Sequence, residues 1–135
     1  MRLTIDSYAW IELIRGSHLG IKTQRLIEAT EECFTPAVVL AEVAHRCLRD
    51  GFEEGDVRGE LAAMAEASAT VPIDSELALA ASRATQELRE RAAVARLRPP
   101  GLRDGLILAT ARQTDSRLLT GDPHFRGLRE TFWLE

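Results

Sequence analysis

Short apolar segments with the character of β-strands alternate with longer amphipathic segments along this chain of 135 residues. The apolar segments are rich in aliphatic and β-branched residues, and segments with the 3.6-residue period of a helix separate most of them. Strands are predicted over residues 2–6, 33–35, 69–73, 117–120 and 131–134. Strands that alternate with helices form a parallel sheet that is covered on both faces. The sequence therefore predicts an α/β fold with a central parallel sheet of four or five strands flanked by helices.

Six helical segments accompany these strands. They are predicted over residues 7–15, 20–30, 36–50, 53–68, 75–97 and 102–113. Thr35 is a suitable N-cap for the third helix, and Pro36 would then occupy its first position, where a proline loses no hydrogen bond. Ligands of open parallel sheets bind beyond the carboxyl ends of the strands. Residues that follow the strands are therefore the first candidates for a functional site.

Length and composition restrict the class of protein. A chain of this length can bury its own core, and we expect residues 1–135 to form a single domain. No apolar run approaches the roughly 20 residues that span a bilayer, and the first residues lack the apolar stretch of a signal peptide. We therefore expect a cytoplasmic protein without a membrane partner, in which Cys33 and Cys47 are buried free thiols.

Four carboxylates lie at the edges of apolar segments, and they are the strongest signal in the sequence. Asp6 ends the first strand, and Glu42 is the only charge in a long apolar run. Asp104 opens another apolar run, and Asp122 follows the fourth strand. Acids in such places cost desolvation energy unless a cation meets them. If the fold brings the four together, the simplest such cation is a divalent metal ion with oxygen ligands.

Three of these acids have a structural interpretation of similar weight. Asp6 and Asp122 could cap the helix or turn that follows each of them. Glu42 could form a surface ion pair with His45 or Arg46, which lie three and four residues further along the predicted helix. The sequence leaves both interpretations open.

Asp104 is the most informative of the four acids. Its helical neighbours at three, four and seven residues are Ile107, Leu108 and Ala111, so its carboxylate lies on the apolar stripe of the predicted helix. An acid is rarely placed there without a partner. The alternative is that Asp104 stabilises the first helical turn through the helix dipole.

The balance of charge gives a weaker signal about the partner. The formal net charge is −4, which does not favour a nucleic-acid partner unless divalent ions cancel the four acids. One basic stretch leads directly into Asp104 and contains Arg89, Arg91, Arg96, Arg98 and Arg103. Arg98 and Arg103 are therefore candidate contacts to a nucleic-acid backbone. A solvated helix face followed by an exposed loop is the alternative.

Other chemistries are disfavoured by motifs that the chain lacks. It has no GxxxxGK[ST] loop, no GxGxxG after the first strand and no GxSxG elbow. The histidines His18, His45 and His124 lack the spacing of a zinc site, so each is interpreted as a surface or structural residue. A phosphate-accepting receiver domain would need a lysine at a strand end, whereas the only lysine, Lys22, lies in a predicted helix.

Four segments of the chain together resemble the PIN domain and, among PIN domains, the VapC-type toxins of bacterial and archaeal toxin–antitoxin modules. The segments are LTIDS at residues 3–7, VLAEV at 39–43, RDGLILATA at 103–111 and LLTGDPHF at 118–125. Their order and spacing match the family, and the resemblance spans essentially the whole chain. It implies a Rossmann-like parallel sheet with the acids at one end.

The resemblance also implies an activity and a set of site residues. Members of the family are Mg²⁺- or Mn²⁺-dependent ribonucleases. Their catalytic, metal-binding acids match Asp6, Glu42, Asp104 and Asp122. Ser7 and Thr120 match hydroxyl residues that support these acids, and Asp115 competes with Asp122 as the fourth acid. Family toxins are commonly homodimers, and a cognate antitoxin protein blocks them by occupying the groove.

Two related functions remain open beside the toxin. A PIN nuclease that matures RNA would share all of these residues. A catalytically inactive PIN-fold binding module would share the fold but show no metal-dependent cleavage. The residues by themselves do not separate these three functions.

Overall fold

The computed structural model describes all 135 residues and contains one five-stranded sheet in which every neighbouring pair is parallel. The strands are β1 (Arg2–Ile5), β2 (Glu32–Pro36), β3 (Ala69–Val71), β4 (Arg117–Thr120) and β5 (Thr131–Trp133). Their order across the sheet is β3-β2-β1-β4-β5. The predicted parallel sheet is confirmed, with five strands.

Six helices connect these strands, and their bounds differ from the predicted ones by three residues at most. They are α1 (Ser7–Arg15), α2 (His18–Ala29), α3 (Ala37–Arg49), α4 (Glu54–Ala67), α5 (Ser75–Val94) and α6 (Leu102–Gln113). Because crossovers between parallel strands are right-handed, α1–α4 cover one face of the sheet, and α5 and α6 cover the other. A bilayer-spanning length of apolar helix does not occur among them.

The predicted start of α3 is wrong. Thr35 lies within β2, and its hydroxyl contacts Trp10 Nε1 at 3.1 Å and Ser68 Oγ at 2.6 Å. Pro36 ends β2 and takes the N-cap position of α3, without a side-chain hydrogen bond. Because the strand continues through Thr35, its side chain faces the core instead of the first amides of the helix.

The order of the strands places the ends of β1 and β4 next to each other. From β1 the chain moves outward in one direction through β2 and β3, and it then returns past β1 to β4. Leu3 and Ile5 of β1 and Leu118 and Leu119 of β4 are completely buried. Such a reversal of strand order opens a crevice at the carboxyl ends of the two central strands. Residues that follow β1 and β4 therefore border the same crevice.

Gly105 fixes the position of α6 against α5. A Cβ atom at this residue would overlap with Thr85 Oγ1 and with the carbonyl oxygen of Ala81, both on α5. The two helices can approach this closely only where the side chain is a hydrogen atom. This close contact lies immediately after Asp104, so it holds the first turn of α6 in place.

Candidate metal centre

The four acids singled out in the sequence lie together at the carboxyl edge of the sheet. Asp6 directly follows β1, and Asp122 lies just beyond β4. Glu42 and Asp104 reach the same edge from α3 and from the first turn of α6. A cleft of about 490 Å³ is lined by three of these acids and by Arg103. Asp104 lies beneath it, only 3% exposed, and contacts Arg103.

Asp6 accepts hydrogen bonds from two residues, Ser7 and Thr120, and is almost completely buried. The Ser7 amide donates to Asp6 Oδ1 at 2.7 Å, so Asp6 does cap α1. The Thr120 hydroxyl donates to Asp6 Oδ2, also at 2.7 Å. Burial raises the pKa of Asp6 to about 6; the Thr120 hydrogen bond opposes this shift, and the negative charge of Asp122 adds to it. Asp6 thus both caps α1 and belongs to the cluster of acids.

Glu42 faces the cleft and pairs with the arginine of another helix. Its Oε2 lies 2.6 Å from Arg103 Nη1, whereas its Oε1 is buried without a hydrogen-bond partner. Burial raises the pKa of Glu42 to about 7, against the attraction of Arg103 and with the help of neighbouring carboxylates. The alternative of an ion pair with Arg46 is wrong, because Arg46 Nε pairs with Asp50 Oδ2 at 3.1 Å.

Asp104 combines a helix cap with an ion pair. The Gly101 amide donates to Asp104 Oδ2 at 3.1 Å, and Arg103 Nη2 donates to Asp104 Oδ1 at 3.1 Å. Because Gly101 has no side chain that could accept a hydrogen bond from the Asp104 amide, only one of the two hydrogen bonds of a capping box is formed. Asp104 therefore stabilises the first turn of α6, which was the alternative interpretation of the sequence, and it also lies among the clustered acids.

Asp122, and not Asp115, is the acid beside Asp6. The Asp122 amide donates to Thr120 Oγ1 at 3.0 Å, the same hydroxyl that donates to Asp6. Asp122 Oδ1 accepts from the His124 amide at 2.9 Å, which caps the short 3₁₀ turn Pro123–Phe125. Asp115 is exposed and precedes β4, so it lies at the opposite edge of the sheet.

His124 completes a cluster that the sequence did not indicate. Its Nδ1 lies 3.1 Å from Asp122 Oδ1 without hydrogen-bond geometry, and it has no other partner. Its Nε2 lies 2.7 Å from the carbonyl oxygen of Arg98. One donor atom each from His124, Asp122 and Asp104 lie within 4.8 Å of one another. The position of His124 depends on its contact with the Arg98 backbone carbonyl, 26 residues away, and the spacing of histidines in the sequence cannot predict such a contact.

The donor set fits a hard divalent cation. The four clustered acids supply carboxylate oxygens, the ligands that Mg²⁺ and Mn²⁺ prefer. Arg103 brings one positive charge against four acids. Glu42 Oε1 and His124 Nδ1 remain buried and without partners. Unsatisfied acceptors and excess negative charge at one place are both relieved by a bound cation.

A basic wall, defined as Arg15, His45, Arg46 and Arg49, lines the same cleft as the acids. Its last three members lie three, four and seven residues after Glu42 and so share its face of α3. The same spacing in the sequence is equally compatible with an ion pair to Glu42, so it does not by itself predict a basic wall.

Two arginines of the stretch before Asp104 form hydrogen bonds to backbone carbonyls and so stabilise the fold. Arg89 donates to the carbonyl oxygen of Pro100, and Arg91 donates to that of Arg126, both at 3.1 Å. Arg103 points into the site. The stretch is therefore not simply a solvated helix face.

Comparisons with known proteins agree with this geometry. The family model described as PIN domain matches residues 3–130. Similar solved structures include a toxin–antitoxin complex from Klebsiella pneumoniae, at 19% identity over 96% of this chain and 95% of that chain, with a TM-score of 0.68. VapC20 of Mycobacterium tuberculosis, described as a sarcin–ricin loop cleaving toxin, is 17% identical over 96% and 98%, with a TM-score of 0.69.

A third similar structure is VapBC-1 from nontypeable Haemophilus influenzae, at 14% identity over 100% of this chain and 98% of that chain, with a TM-score of 0.71. At such identities, likeness to a solved structure shows the fold alone. No curated protein sequence matches the chain.

Proposed function

This chain belongs to the PIN domain family, and from that premise we propose that it is a metal-dependent endoribonuclease, the toxin of a toxin–antitoxin module. The observation that carries the proposal is the meeting of four carboxylates from distant parts of the chain around a buried acceptor, Glu42 Oε1, that has no donor. The oxygens of buried acids with a purely structural role normally have hydrogen-bond partners within the protein. A bound cation would satisfy this acceptor and offset the clustered negative charge.

The four acids divide the task of holding Mg²⁺ or Mn²⁺. Asp6 and Asp104 are the main ligands, Glu42 binds directly or through water, and Asp122 holds a second ion or its water. A bound ion would lower the pKa of a water molecule and stabilise the negative charge that develops on the phosphate oxygens. No side-chain nucleophile is required. We expect products with 5′-phosphate and 3′-hydroxyl ends.

The hydroxyl residues act by positioning the acids. Thr120 donates to Asp6 and accepts from the Asp122 amide, so one side chain sets the separation of two acids. Ser7 contacts Asp6 through its amide and lies 3.5 Å from Glu42 Oε2 through its hydroxyl. Acids held in this way need little rearrangement when a cation binds.

At some distance from the acids, the cleft presents positively charged side chains that could contact an RNA backbone. The basic wall extends it along α1 and α3, away from the acidic end. Arg98 and Arg103 remain candidate contacts, and the side chain of Arg103 is half exposed beside its two carboxylate partners. Phosphates held by arginine would position the scissile bond at the acids without reading sequence.

The proposed partner is a cognate antitoxin protein, and the proposed assembly is a homodimer that acts in the cytoplasm. The antitoxin partner is supported by two similar structures, which are described as a toxin–antitoxin complex and as VapBC-1. An antitoxin segment that reaches the cleft would meet both its acids and its basic wall. Expression of the wild-type chain in bacteria should arrest growth, and the Asp104→Asn variant should not. Normal growth at a level where cell extracts cleave RNA would favour a role in RNA maturation.

The direct test is incubation with a panel of RNAs in the presence of Mg²⁺, Mn²⁺ or EDTA. Cleavage should require a divalent ion and fall at least about a hundredfold in Asp104→Asn, since even outer-shell partners of a metal contribute 10–100-fold. The metal-free stability of this variant should change by less than about 1 kcal/mol, because asparagine still accepts from the Gly101 amide.

Asp115→Asn is the matched control, because Asp115 is an exposed acid at the opposite edge of the sheet. Its backbone has a φ of 48°, which asparagine tolerates well. Its cleavage rate should equal that of the wild type. Cleavage that persists in EDTA, or that survives in Asp104→Asn, would exclude the proposed mechanism.

A further inference from the structure

We propose that His124 Nδ1 is a metal ligand together with Asp104 and Asp122, and that this nitrogen gives the site a preference for transition-metal ions over Mg²⁺. The inference rests on the proposed function in that both place a cation at the same edge of the sheet. It adds a ligand that the acid quartet does not contain, and it makes a claim about which ion the protein selects.

The position of the ring is fixed by the backbone on both sides. The His124 amide donates to Asp122 Oδ1, and the Asp122 amide donates to Thr120 Oγ1, so the turn is tied to the end of β4. The next residue, Phe125, is completely buried in the core. The backbone of His124 is therefore fixed, and the contact of Nε2 with the Arg98 carbonyl holds the ring towards the acids.

The contact with Arg98 determines the tautomer of the ring. A backbone carbonyl oxygen only accepts hydrogen bonds, so Nε2, 2.7 Å from the Arg98 carbonyl, carries the proton. In neutral imidazole the lone pair then lies on Nδ1. This atom is buried and has no hydrogen-bond partner. The free lone pair consequently points at the acids and not at solvent.

Two acceptors face each other across a short distance. His124 Nδ1 and Asp122 Oδ1 are 3.1 Å apart, and the contact does not have hydrogen-bond geometry. A shared proton is therefore poorly placed between them. Two ligands of one metal ion lie about 3 to 4.3 Å apart, given bonds near 2.1 Å. The separation of these two atoms suits coordination of one ion.

The third donor and the outer contacts complete the arrangement. An oxygen of Asp104 lies within 4.8 Å of the other two donor atoms, so small side-chain movements close the set around one ion. Metal-bound histidines almost always donate their other ring N–H to a carboxylate or a backbone carbonyl. The Arg98 carbonyl has that role here. Asp104 is likewise held from behind by the Gly101 amide.

The ligand chemistry predicts the selectivity. Imidazole nitrogen binds transition metals such as Co²⁺ and Zn²⁺ well, whereas Mg²⁺ prefers oxygen alone. Two carboxylates and one histidine should therefore bind Mn²⁺ and Co²⁺ more tightly than Mg²⁺. An all-carboxylate site would discriminate less between these ions.

The test compares ion affinities of the wild type, His124→Gln and His18→Gln by titration calorimetry with Mg²⁺, Mn²⁺ and Co²⁺. His124→Gln should lose about 10–100-fold in Co²⁺ affinity and less than about threefold in Mg²⁺ affinity. His18→Gln, at an exposed residue at the start of α2, should match the wild type. Equal losses for all three ions, or an unchanged Co²⁺ affinity, would overturn the proposal.

A second measurement uses the wild-type protein and does not depend on how the variant folds. Zn²⁺ is diamagnetic, so ¹⁵N NMR can follow the ring nitrogens of His124 during a titration. The Nδ1 signal should move to a metal-bound position while Nε2 stays protonated. If neither ring nitrogen responds when Zn²⁺ binds, His124 is not a ligand.

These readouts separate the two proposals. Ion-dependent cleavage that is lost in Asp104→Asn, together with a silent His124, rejects the histidine ligand and leaves the nuclease intact. A responsive His124 in a protein that cleaves no RNA with any of these ions rejects the nuclease and retains the ligand.

Discussion

Two buried polar clusters lie on neighbouring strands of this sheet, and they differ in whether their hydrogen bonds are complete. In the first, Trp10 Nε1 donates to Thr35 Oγ1, the hydroxyls of Thr35 and Ser68 are 2.6 Å apart, and Ser68 donates to the carbonyl of Met64. Every member is neutral and has a partner. The second cluster, around Asp6, carries several charges and contains two buried atoms without partners.

The difference separates a structural cluster from a binding site. A closed hydrogen-bond network stabilises the fold and needs nothing further. A network that lacks donors and has excess negative charge is stable only because the rest of the molecule supports it. The hydroxyl cluster therefore explains how α1, β2 and α4 are held together, whereas the acid cluster has the features expected of a cation site.

The largest expected contrast is in pH dependence. Burial raises the pKa values of Asp6 and Glu42 to about 6 and about 7. The protonated forms of these two acids therefore stabilise the fold fully only below their ordinary pKa values near 4. This stabilisation is lost as the pH rises through 6 to 7. Without metal, the free energy of unfolding should fall by about 4 kcal/mol between pH 5 and pH 8.5. Urea titrations at a series of pH values measure this.

Asp6→Asn sharpens the same measurement. The substitution keeps an acceptor for the Ser7 amide and removes one of the two titrating groups. Its stability should fall less steeply with pH, and at pH 8 it should be at least as stable as the wild type. A pH profile identical to that of the wild type would mean that Asp6 does not titrate in this range.

Removal of one hydroxyl from each cluster should have the next largest effect. Thr35→Val leaves the Trp10 N–H buried without an acceptor and should cost about 2 kcal/mol at any pH. Thr120→Val removes a donor to ionised Asp6, so its cost should be greater at pH 8 than at pH 5. Equal pH dependence of the two variants would contradict the distinction between the clusters.

The smallest expected effect is that of an added ion. At a concentration ten times its dissociation constant, a divalent cation should stabilise the wild type by about 1.4 kcal/mol at pH 8. At pH 5 protons compete for Asp6 and Glu42, so the gain should shrink. Thr35→Val should show the same gain as the wild type, and Asp6→Asn should show much less. Thermal unfolding with and without Mn²⁺ provides the comparison.

The acid cluster was predictable because the residues that form it follow local rules. Acids that follow strands in a parallel sheet are natural caps, and such caps meet at one edge of the sheet, so Asp6 and Asp122 could be predicted together. Asp104 could be identified from its place on an apolar stripe. The helices and strands followed from periodicity in the same way.

The remaining features depend on contacts between residues that are far apart in the chain. The tautomer of His124 is set by the carbonyl of Arg98, and the pairing of Arg103 with Glu42 joins two helices. Thr35 precedes Pro36 and so resembles a helix cap in the sequence, but in the structure its hydroxyl pairs with Ser68, 33 residues away. A local pattern contains no information about any of these partners.

Arg103 gives the site a resident counterion. Its guanidinium spans Glu42 and Asp104, and its side chain is half exposed, so it has room to swing towards solvent. It offsets part of their negative charge while no other cation is present. A cation bound at either carboxylate would weaken these pairs, and the released guanidinium could then hold a phosphate with two parallel hydrogen bonds.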